Sequence, residues 1–290
     1  MKIVRTVSEL KAVISALRQG GRSVGLVPTM GALHAGHASL VSRSVDENEV
    51  TVVSVFVNPT QFNDLSDLEN YPRTLEADCR LLETLGADVV FAPTPEEVYP
   101  EPDTRRFSYA PLDTVMEGAH RPGHFNGVCQ VVSKLFSFVE PTRAYFGEKD
   151  YQQLAIIRVM TRDQGFDLQI VGCPIVREPS GLALSSRNAR LSAEQRQQAV
   201  GISRALSASL AYARTHTVAE TRAQVEADIA ASPGLKLEYY EIVDGDTLQA
   251  IDRWTDASRV AVGCATVWCG DVRLIDNIKY EHLSDQEAIR

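Results

Sequence analysis

Two histidines with the spacing H-x-G-H, His34 and His37, stand in the segment VPTMGALHAGH between an apolar run and a helical stretch. Two imidazoles beside the free N–H groups of a helix start form a pocket rich in hydrogen-bond donors. Such a pocket suits a phosphate and the charge that grows on it during displacement. Gly36 would let the backbone approach the ligand closely. We interpret the pair as phosphate ligands; a metal site is the weaker interpretation, because no third ligand accompanies them at a fixed spacing.

A second polar segment, YFGEKDYQQL, puts Lys149 and Asp150 just beyond another apolar run, with Gln153 one helical turn further on. The lysine can meet a phosphate as a point charge, and the aspartate can accept hydrogen bonds from ribose hydroxyls. Gln153 should lie on the same side of the predicted helix as Asp150. The alternative is a charged loop in which Asp150 only caps the helix.

A third polar segment, LALSSRNARL, contains Ser185, Ser186 and Arg187. Hydroxyl groups and a guanidinium fork match the oxygens of a polyphosphate. A loop between two domains can also close over its ligand, so we expect this segment to be mobile until the ligand binds. A flexible linker without a binding role is the alternative.

Five further polar residues are weaker candidates. Asn58 and Gln61, in VNPTQF, carry amides suited to substrate hydroxyls or a carboxylate. Asp78, in YPRTLEADCR, is a candidate magnesium ligand. Arg121 and His124, in GAHRPGHFNGV, are candidates to bind an acid substrate. Taken singly, residues of these types belong more often to turns or to the surface than to a site.

The elements that must position these residues alternate between strands and helices. Apolar runs at 24–29, 51–58, 88–93, 144–147 and 168–176 predict strands, and apolar residues at helical spacing predict helices between them. The first helix has Ser8 as its expected N-cap and stops at Gly20 and Gly21. The alternation predicts an α/β fold, a Rossmann-like doubly wound parallel sheet with its sites beyond the carboxyl ends of the strands.

The composition of the chain changes near residue 178, where the loop EPSGLALSSRN, with its glycine, serines and arginine, begins. Two long helical segments follow, and after them come strands in KLEYYEIVD, RVAVGCATVWC and GDVRLIDN. We expect residues 1–178 to form the Rossmann-like domain that binds the nucleotide and the acid substrate. Residues 179–290 should form a smaller α+β domain that closes over the site.

Composition is that of an ordinary folded protein and gives no electrostatic signal for nucleic acid. The 290 residues carry a formal net charge of −9, and their 29 lysines and arginines are scattered. No apolar stretch approaches the length of about 20 residues that a membrane span requires, and no signal-peptide core is visible. Five cysteines without metal-ligand spacing fit buried thiols in a reducing compartment. We expect a cytoplasmic protein with no nucleic-acid or membrane partner.

The chain resembles the pantothenate synthetase family in seven segments spread in order from residue 24 to residue 277: VPTMGALHAGHASLV, SVFVNPTQF, YPRTLEADCRLLETLGADVVFAP, RPGHFNGV, FGEKDYQQL, GLALSSRN and RLIDN. A wider resemblance is to the HIGH-type nucleotidylyl transferases, whose KMSKS signature corresponds loosely to residues 184–187, here without its lysines. The resemblance implies ATP-dependent condensation of (R)-pantoate with β-alanine to pantothenate through a pantoyl adenylate, releasing AMP and pyrophosphate. It also implies a homodimer, formed through the strand TVVSVFV or surfaces near it.

The family resemblance further implies roles for individual residues. The ATP-binding set would be Met30, Gly31, His34, Gly36, His37, Gly147, Lys149, Asp150, Val176, Leu184, Ser185, Ser186 and Arg187. His34, His37 and Lys149 would be catalytic, with His37 as the proton donor. Gln61 and Gln153 would bind pantoate, and Gln61 would also lie against β-alanine. Magnesium is the implied metal, although Ala77 precedes Asp78 where some relatives carry another acid.

Three other classes of protein are weighed against this one. A nucleotidylyl transferase for a phosphate acceptor shares the strand–HxGH–helix unit, but neutral Gln61 and Gln153 favour a small hydroxy acid. An aminoacyl-tRNA synthetase is disfavoured by the acidic charge. A non-catalytic nucleotide-binding regulator would require decayed phosphate-facing residues, and these are intact.

Overall fold

The computed structural model describes residues 1–63, 68–254, 259–281 and 283, and this part of the chain forms two β-sheets. The strands of the larger sheet are β1 (Lys2–Val4), β2 (Val24–Thr29), β3 (Val50–Val55), β4 (Val89–Phe91), β5 (Arg143–Gly147) and β6 (Gln169–Cys173). All of them are parallel, in the spatial order β1-β4-β3-β2-β5-β6. The parallel sheet predicted from the sequence is confirmed.

Helices cover both faces of this sheet. The helices of the described chain are α1 (Val7–Leu17), α2 (Ala35–Glu47), α3 (Leu75–Thr84), α4 (Pro95–Val98), α5 (Glu117–His120), α6 (His124–Val139), α7 (Tyr151–Asp163), α8 (Ala193–Tyr212) and α9 (Val218–Ala230). Neighbouring strand residues point to opposite faces: Val52 packs with α1, α6 and α7, whereas Val53 packs with α2 and α3. The sheet is therefore doubly wound.

Strand β3 lies inside this sheet, between β4 and β2. Its residues Val52 and Val53 are completely buried, one in the core on each face. Its edges are paired with β4 and β2, and Val55 at its end is half-buried, so the strand offers no free edge to a partner; the dimer surface stays a prediction.

The N-cap of the first helix lies two residues before the expected one. Thr6 is the N-cap: its Oγ1 accepts the N–H of Glu9 at 3.2 Å, and the Glu9 carboxylate accepts the N–H of Thr6 at 3.2 Å. The expectation of Ser8 as the cap is wrong, because the reciprocal Thr-x-x-Glu capping box satisfies two backbone donors together.

The smaller sheet is antiparallel and consists of β7 (Leu235–Asp244), β8 (Ala261–Cys269) and β9 (Val272–Tyr280), in that order. Helices α8 and α9 pack on it around buried Leu206, Val225 and Val267. Val262 and Cys264 of β8 join the apolar cluster that contains α7. The predicted smaller α+β unit is present, while the boundary at residue 178 stays a prediction.

The connectivity defines one crevice at the carboxyl edge of the large sheet. From β2 the chain builds β3 and β4 on one side and then returns to build β5 and β6 on the other. Open α/β sheets bind their ligands at such a switch point, where neighbouring loops diverge. The candidate site is therefore expected between the ends of β2 and β5. Among the described residues, no helix combines the length and the apolar character that a membrane crossing needs.

Candidate active site

A cavity of about 220 Å³ opens at this switch point, beyond the carboxyl ends of β2, β3, β5 and β6. Most of the residues predicted for the site line it together: Met30, His34, Gly36, His37, Asn58, Gln61, Gly147, Lys149, Asp150, Gln153, Val176, Leu184, Ser185, Ser186 and Arg187. Four other candidates, Gly31, Asp78, Arg121 and His124, are not among its lining residues. Segments far apart in the sequence thus converge on one space.

The two histidines form the N-terminal cap of α2. Nδ1 of His34 accepts the N–H of Gly36 at 3.1 Å, and Nδ1 of His37 accepts the N–H of His34 at 3.4 Å. In the neutral ring the proton must then be on Nε2 of each histidine, which leaves both Nε2–H groups as donors. A Cβ at Gly36 would lie 2.8 Å from the His34 ring, so glycine also makes room for this arrangement.

Burial keeps both rings neutral. It is the main cause that lowers the pKa of His37 to about 3, and the neighbouring His34 lowers it further. The pKa of His34 is lowered by burial and then by the charge of Lys149. The ring centroids are 4.1 Å apart, so two imidazolium charges would repel each other strongly. The pair therefore offers neutral N–H donors near pH 7.

Asp78 anchors the strained turn that leads into the histidines. Gly31 and Ala32 both have positive φ, +83° and +50°. The buried Asp78 carboxylate accepts the N–H of Ala32 at 3.0 Å and that of Leu33 at 2.8 Å, and it also accepts the Thr74 hydroxyl at 3.2 Å. A carboxylate with both oxygens engaged stabilises a backbone conformation that costs about 1–3 kcal/mol in non-glycine residues.

Lys149 and Asp150 lie on a 3-10 turn, Glu148–Asp150, that follows β5 directly. The Lys149 Nζ is 3.7 Å from the Asp150 carboxylate, and the lysine side chain is mostly buried at 17% exposure. Asp150 occupies the N-cap position of α7, but its side chain makes no capping hydrogen bond. The alternative interpretation of Asp150 as a simple cap is therefore not supported.

A chain of amide contacts orients Gln61. Buried Asn58 donates to the Gln61 Oε1 at 3.1 Å and accepts the Tyr99 hydroxyl at 2.9 Å. The Gln61 Nε2 lies 3.2 Å from the Met30 sulfur. The Gln61 carbonyl oxygen accepts the Nδ1–H of His124 at 2.8 Å. Asn58 therefore positions the Gln61 side chain, and His124 binds the Gln61 backbone in the 3-10 turn Pro59–Gln61.

The floor of the cavity is apolar, and the sequence reasoning missed it. Val131, Val132 and Leu135 of α6 line it together with Phe56 and Phe146. Their helical and strand spacing is the same as that of core residues, so the pattern contains no signal that separates the two roles. A site with polar groups on one side and an apolar floor on the other fits a ligand with both characters.

Arg121 and His124 line a smaller neighbouring pocket of about 50 Å³ that shares Lys149, Asp150 and Gln153 with the main cavity. The Arg121 guanidinium donates to the His124 Nε2 at 3.2 Å. Burial, with the Arg121 charge, lowers the pKa of His124 to about 4.

A buried carboxylate on α5, Glu117, lines this second pocket and contacts the small domain. Glu117 forms a two-pronged ion pair with Arg273, both contacts at 2.7 Å. It also accepts the hydroxyls of Tyr239 and Thr266. Burial alone would raise the pKa of Glu117, but the hydrogen bonds and charge of Arg273 outweigh it and lower the value to about 2. This ion pair joins α5 to the small sheet.

The Ser-Ser-Arg segment is held at both ends. The Val176 carbonyl accepts the N–H of Leu184 at 3.0 Å, and the Ser186 hydroxyl donates to the Ala32 carbonyl at 3.4 Å. A 3-10 turn, Ser186–Arg190, follows. The segment therefore lies against the histidine turn, with its own polar side chains lining the cavity.

Donors that converge in this way on the switch point of a parallel sheet define a nucleotide-handling α/β enzyme. The family described as Pantoate-beta-alanine ligase matches residues 2–279, and the chain belongs to that family. As a member, it is an enzyme that ligates pantoate and β-alanine to pantothenate.

Individual relatives agree along the whole chain. The pantothenate synthetase of Bacteroides fragilis is 71% identical over 281 residues, which are 97% of this chain and 99% of the relative. That of Bacteroides thetaiotaomicron is 68% identical over 283 residues, 98% of this chain and 100% of the relative. The resemblance drawn from the sequence is confirmed.

Solved structures give the same fold. The pantothenate synthetase of Thermus thermophilus superposes with a TM-score of 0.90 at 47% identity, covering 97% of this chain and 100% of that one. The pantoate–beta-alanine ligase of Francisella tularensis, solved with beta-gamma ATP and beta-alanine, gives 0.79 at 34% identity, covering 96% and 97%.

Proposed function

We propose that the chain uses ATP to activate (R)-pantoate and then transfers the pantoyl group to β-alanine. A pantoate carboxylate oxygen attacks the α-phosphorus of ATP and pyrophosphate leaves. The β-alanine amine then attacks the acyl carbon of pantoyl adenylate, AMP leaves and the amine loses a proton. The observation that carries this proposal is the convergence of His34, His37 and Lys149 with the 184–187 segment on one cavity. The Francisella relative, solved with beta-gamma ATP and beta-alanine, supports it.

The phosphates of ATP would meet the histidine pair, Lys149 and the segment 184–187. Lys149 supplies positive charge, and the Nε2–H groups of His34 and His37 supply fixed donors for charge that develops on the phosphate. The low pKa of His37 favours a hydrogen-bond donor over a general acid, so we assign it no proton transfer. Gly147 and Asp150 would hold the ribose, and Val176 would meet adenine through its backbone.

Pantoate would lie against the amides and the apolar floor of the cavity. Its carboxylate and hydroxyls suit the amides of Gln61 and Gln153, and its two methyl groups suit the apolar floor formed by α6. Gln61 would also face β-alanine. Arg121 and His124 would reach an acid substrate from the neighbouring pocket, on the side of Gln153.

The residues around Asp78 do not fit a magnesium site. Both carboxylate oxygens already accept backbone N–H groups, and the side chain is 2% exposed. The described part of the chain also contains no group of three or more His, Cys, Asp or Glu side chains placed to hold a metal ion. We propose that magnesium arrives with the triphosphate, as it commonly does at nucleotide sites.

We propose a cytoplasmic location, supported by five cysteines that are all free and buried. We also propose a homodimer on the family resemblance. Sedimentation equilibrium of the purified protein tests the second point, and a single monomer mass at micromolar concentration would contradict it.

The decisive experiment separates the two half-reactions. With ATP, magnesium and pantoate but no β-alanine, labelled pyrophosphate should exchange into ATP, because pantoyl adenylate and pyrophosphate revert to ATP. Adding β-alanine should then yield AMP and pantothenate. A phosphate-acceptor transferase would not exchange with pantoate. Exchange that requires β-alanine, or ADP as product, would overturn the proposed order.

A further inference from the structure

Asn277, on β9 of the small domain, contacts the turn that carries Lys149. Its side-chain amide donates to the Glu148 carbonyl at 2.8 Å and to the Lys149 carbonyl at 2.9 Å. The residue is 3% exposed; it does not line the main cavity, but it lines the smaller neighbouring pocket. Both N–H donors of its amide are taken by the backbone of the lysine turn, so a residue of the second domain binds that turn directly.

The contact requires an amide. Only Asn and Gln side chains present two N–H donors on one uncharged nitrogen, one for each carbonyl. A carboxylate of the same shape would place an acceptor against two other acceptors. The turn is a single 3-10 turn, so it has few internal hydrogen bonds to fix its direction.

Asn277 is itself held firmly. The adjacent Asp276 carboxylate accepts the Asn277 N–H at 2.8 Å and is bound by the two ends of the Arg177 guanidinium at 2.6 and 2.9 Å. Arg177 directly follows Val176, and Val176 lines the main cavity. A second contact steadies the same turn, because Lys279 lies 2.7 Å from the Glu148 carboxylate.

We propose that Asn277 is a positioning residue for the ligation reaction. It fixes the Glu148–Asp150 turn so that the Lys149 ammonium lies where charge develops on the phosphate, and it acts only through that turn. The small domain therefore completes the nucleotide site through the backbone. The inference rests on the role proposed above for Lys149. A displacement of about 1 Å at a catalytic group can cost on the order of 10²-fold in rate.

The test is a double-mutant cycle on pantoate-dependent pyrophosphate–ATP exchange, with wild type, Asn277→Ala, Lys149→Ala and the double variant. We expect Asn277→Ala to lower kcat about tenfold or more in the wild-type background, and by less than about threefold in the Lys149→Ala background. If Asn277→Ala lowers kcat by the same factor in both backgrounds, the proposal is overturned, because a mere loss of folded protein would act equally in both. A kcat of Asn277→Ala within twofold of the wild-type value would also overturn it.

A second variant covers the case in which Asn277→Ala does not fold. Asn277→Asp keeps the side-chain volume, so a space-filling role predicts a milder effect than alanine, whereas the positioning role predicts a more severe one. Val225→Ala, in the core of the small domain and away from the turn, is the control: it should lower the melting temperature but leave kcat unchanged. Wild-type protein without exchange would overturn the proposed function as well; normal wild-type exchange with a mild Asn277→Asp effect overturns this inference alone.

Discussion

The histidines act through their burial as much as through their position. Their Nδ1 atoms cap α2, and their low pKa values keep Nε2–H groups available at neutral pH. A single preorganised donor of this kind contributes about 10²–10³-fold to turnover in other enzymes. The same side chains therefore begin the helix and serve the phosphates.

Replacing either histidine separates these two roles. We expect His34→Ala and His37→Ala each to lower the rate of pyrophosphate–ATP exchange by about 10²-fold or more. Loss of a cap should cost only about 1 kcal/mol of unfolding free energy, so both variants should fold. His216→Ala, on the small domain, is the control. Exchange near the wild-type rate in both site variants would refute the assignment.

Asp78 gives a prediction that distinguishes anchoring from metal binding. Asp78→Asn replaces one acceptor oxygen with a donor that faces a backbone N–H. We expect a lower melting temperature and lower exchange activity, and we expect neither to recover at high magnesium concentration. Titration of magnesium against both variant and wild type measures this. Restored activity at saturating magnesium would favour the metal-ligand role.

For single residues, the sequence identified the side chains of the candidate site better than it identified their hydrogen-bond partners. The H-x-G-H pair stands out in the sequence because its residue types and glycines are local signals, and it lines one cavity with most of the other candidates. Asp78 was interpreted as a metal ligand because a backbone N–H partner leaves no mark in the sequence. The two amides that it binds lie 46 and 45 residues away.

Among the elements, the segment 184–187 is the one that the sequence marks as a moving part. Polar contacts join it to the rest of the site, among them the hydrogen bond from Leu184 to Val176 and the 3.4 Å contact from Ser186 to Ala32. Segments with few buried apolar contacts open at low cost. The structure is thus compatible with the predicted role of this segment in closing over the ligand.

Hydrogen exchange of this segment tests that role. With ATP and magnesium bound, the amides of residues 184–187 should exchange more slowly than in the free protein, by about tenfold or more. Amides of β3, in the centre of the sheet, are the internal control. Equal exchange of the segment with and without ATP would count against ordering by the nucleotide.

The elements themselves were largely predictable, and the errors have local causes. Strands β2 to β6 follow long β-branched or apolar runs, which are strong signals. Strand β1 was missed because Ile3 and Val4 are its only apolar residues and do not form a run, whereas the three residues of β4 are all apolar. The N-cap of α1 was assigned to Ser8 because serine and threonine are both good caps, and only the Thr6–Glu9 pairing decides between them.

For the whole molecule, the buried His124 links stability to pH. It donates from Nδ1 to the Gln61 carbonyl, and its Nε2 accepts from Arg121, so a second proton would face a guanidinium. The pKa falls from the ordinary value of 6.5 to about 4. Between these values the unfolded chain binds a proton that the folded chain does not. Unfolding free energy must therefore fall as the pH falls through this window.

This dependence can be measured by denaturant unfolding between pH 4.5 and 6.5. His37, with its pKa lowered to about 3, contributes a slope of the same sign in this window in both wild type and variant, so the comparison isolates His124. Below 4.5 the lowered pKa of Glu117 adds a further acid-sensitive contribution, so the window stops there. We expect His124→Asn, whose amide can still donate to Gln61, to reduce the slope by up to about 1.4 kcal/mol per pH unit. An unchanged slope would show that His124 does not titrate differently on unfolding.

The polar contacts between the small sheet and the first part of the chain could not be predicted from the sequence. Glu117 and Arg273 are separated by 156 residues, and Asn277 and Lys149 by 128. Periodicity and capping signals reach only a few residues along the chain, so they cannot pair such partners. The family resemblance gave the substrates, but the polar links that fix the second domain emerged only from the structure.

The distance between Lys149 and Asn277 along the chain also bears on protein synthesis. A ribosome adds residues from the N-terminus at about 5–20 per second, and domains generally fold in that order. The 128 residues between the two therefore take on the order of 6 to 26 seconds to make. During that time both histidines and the lysine turn exist without the amide proposed to hold that turn. On this inference a newly made chain gains its full activity only when its last described strand, β9, has joined the small sheet.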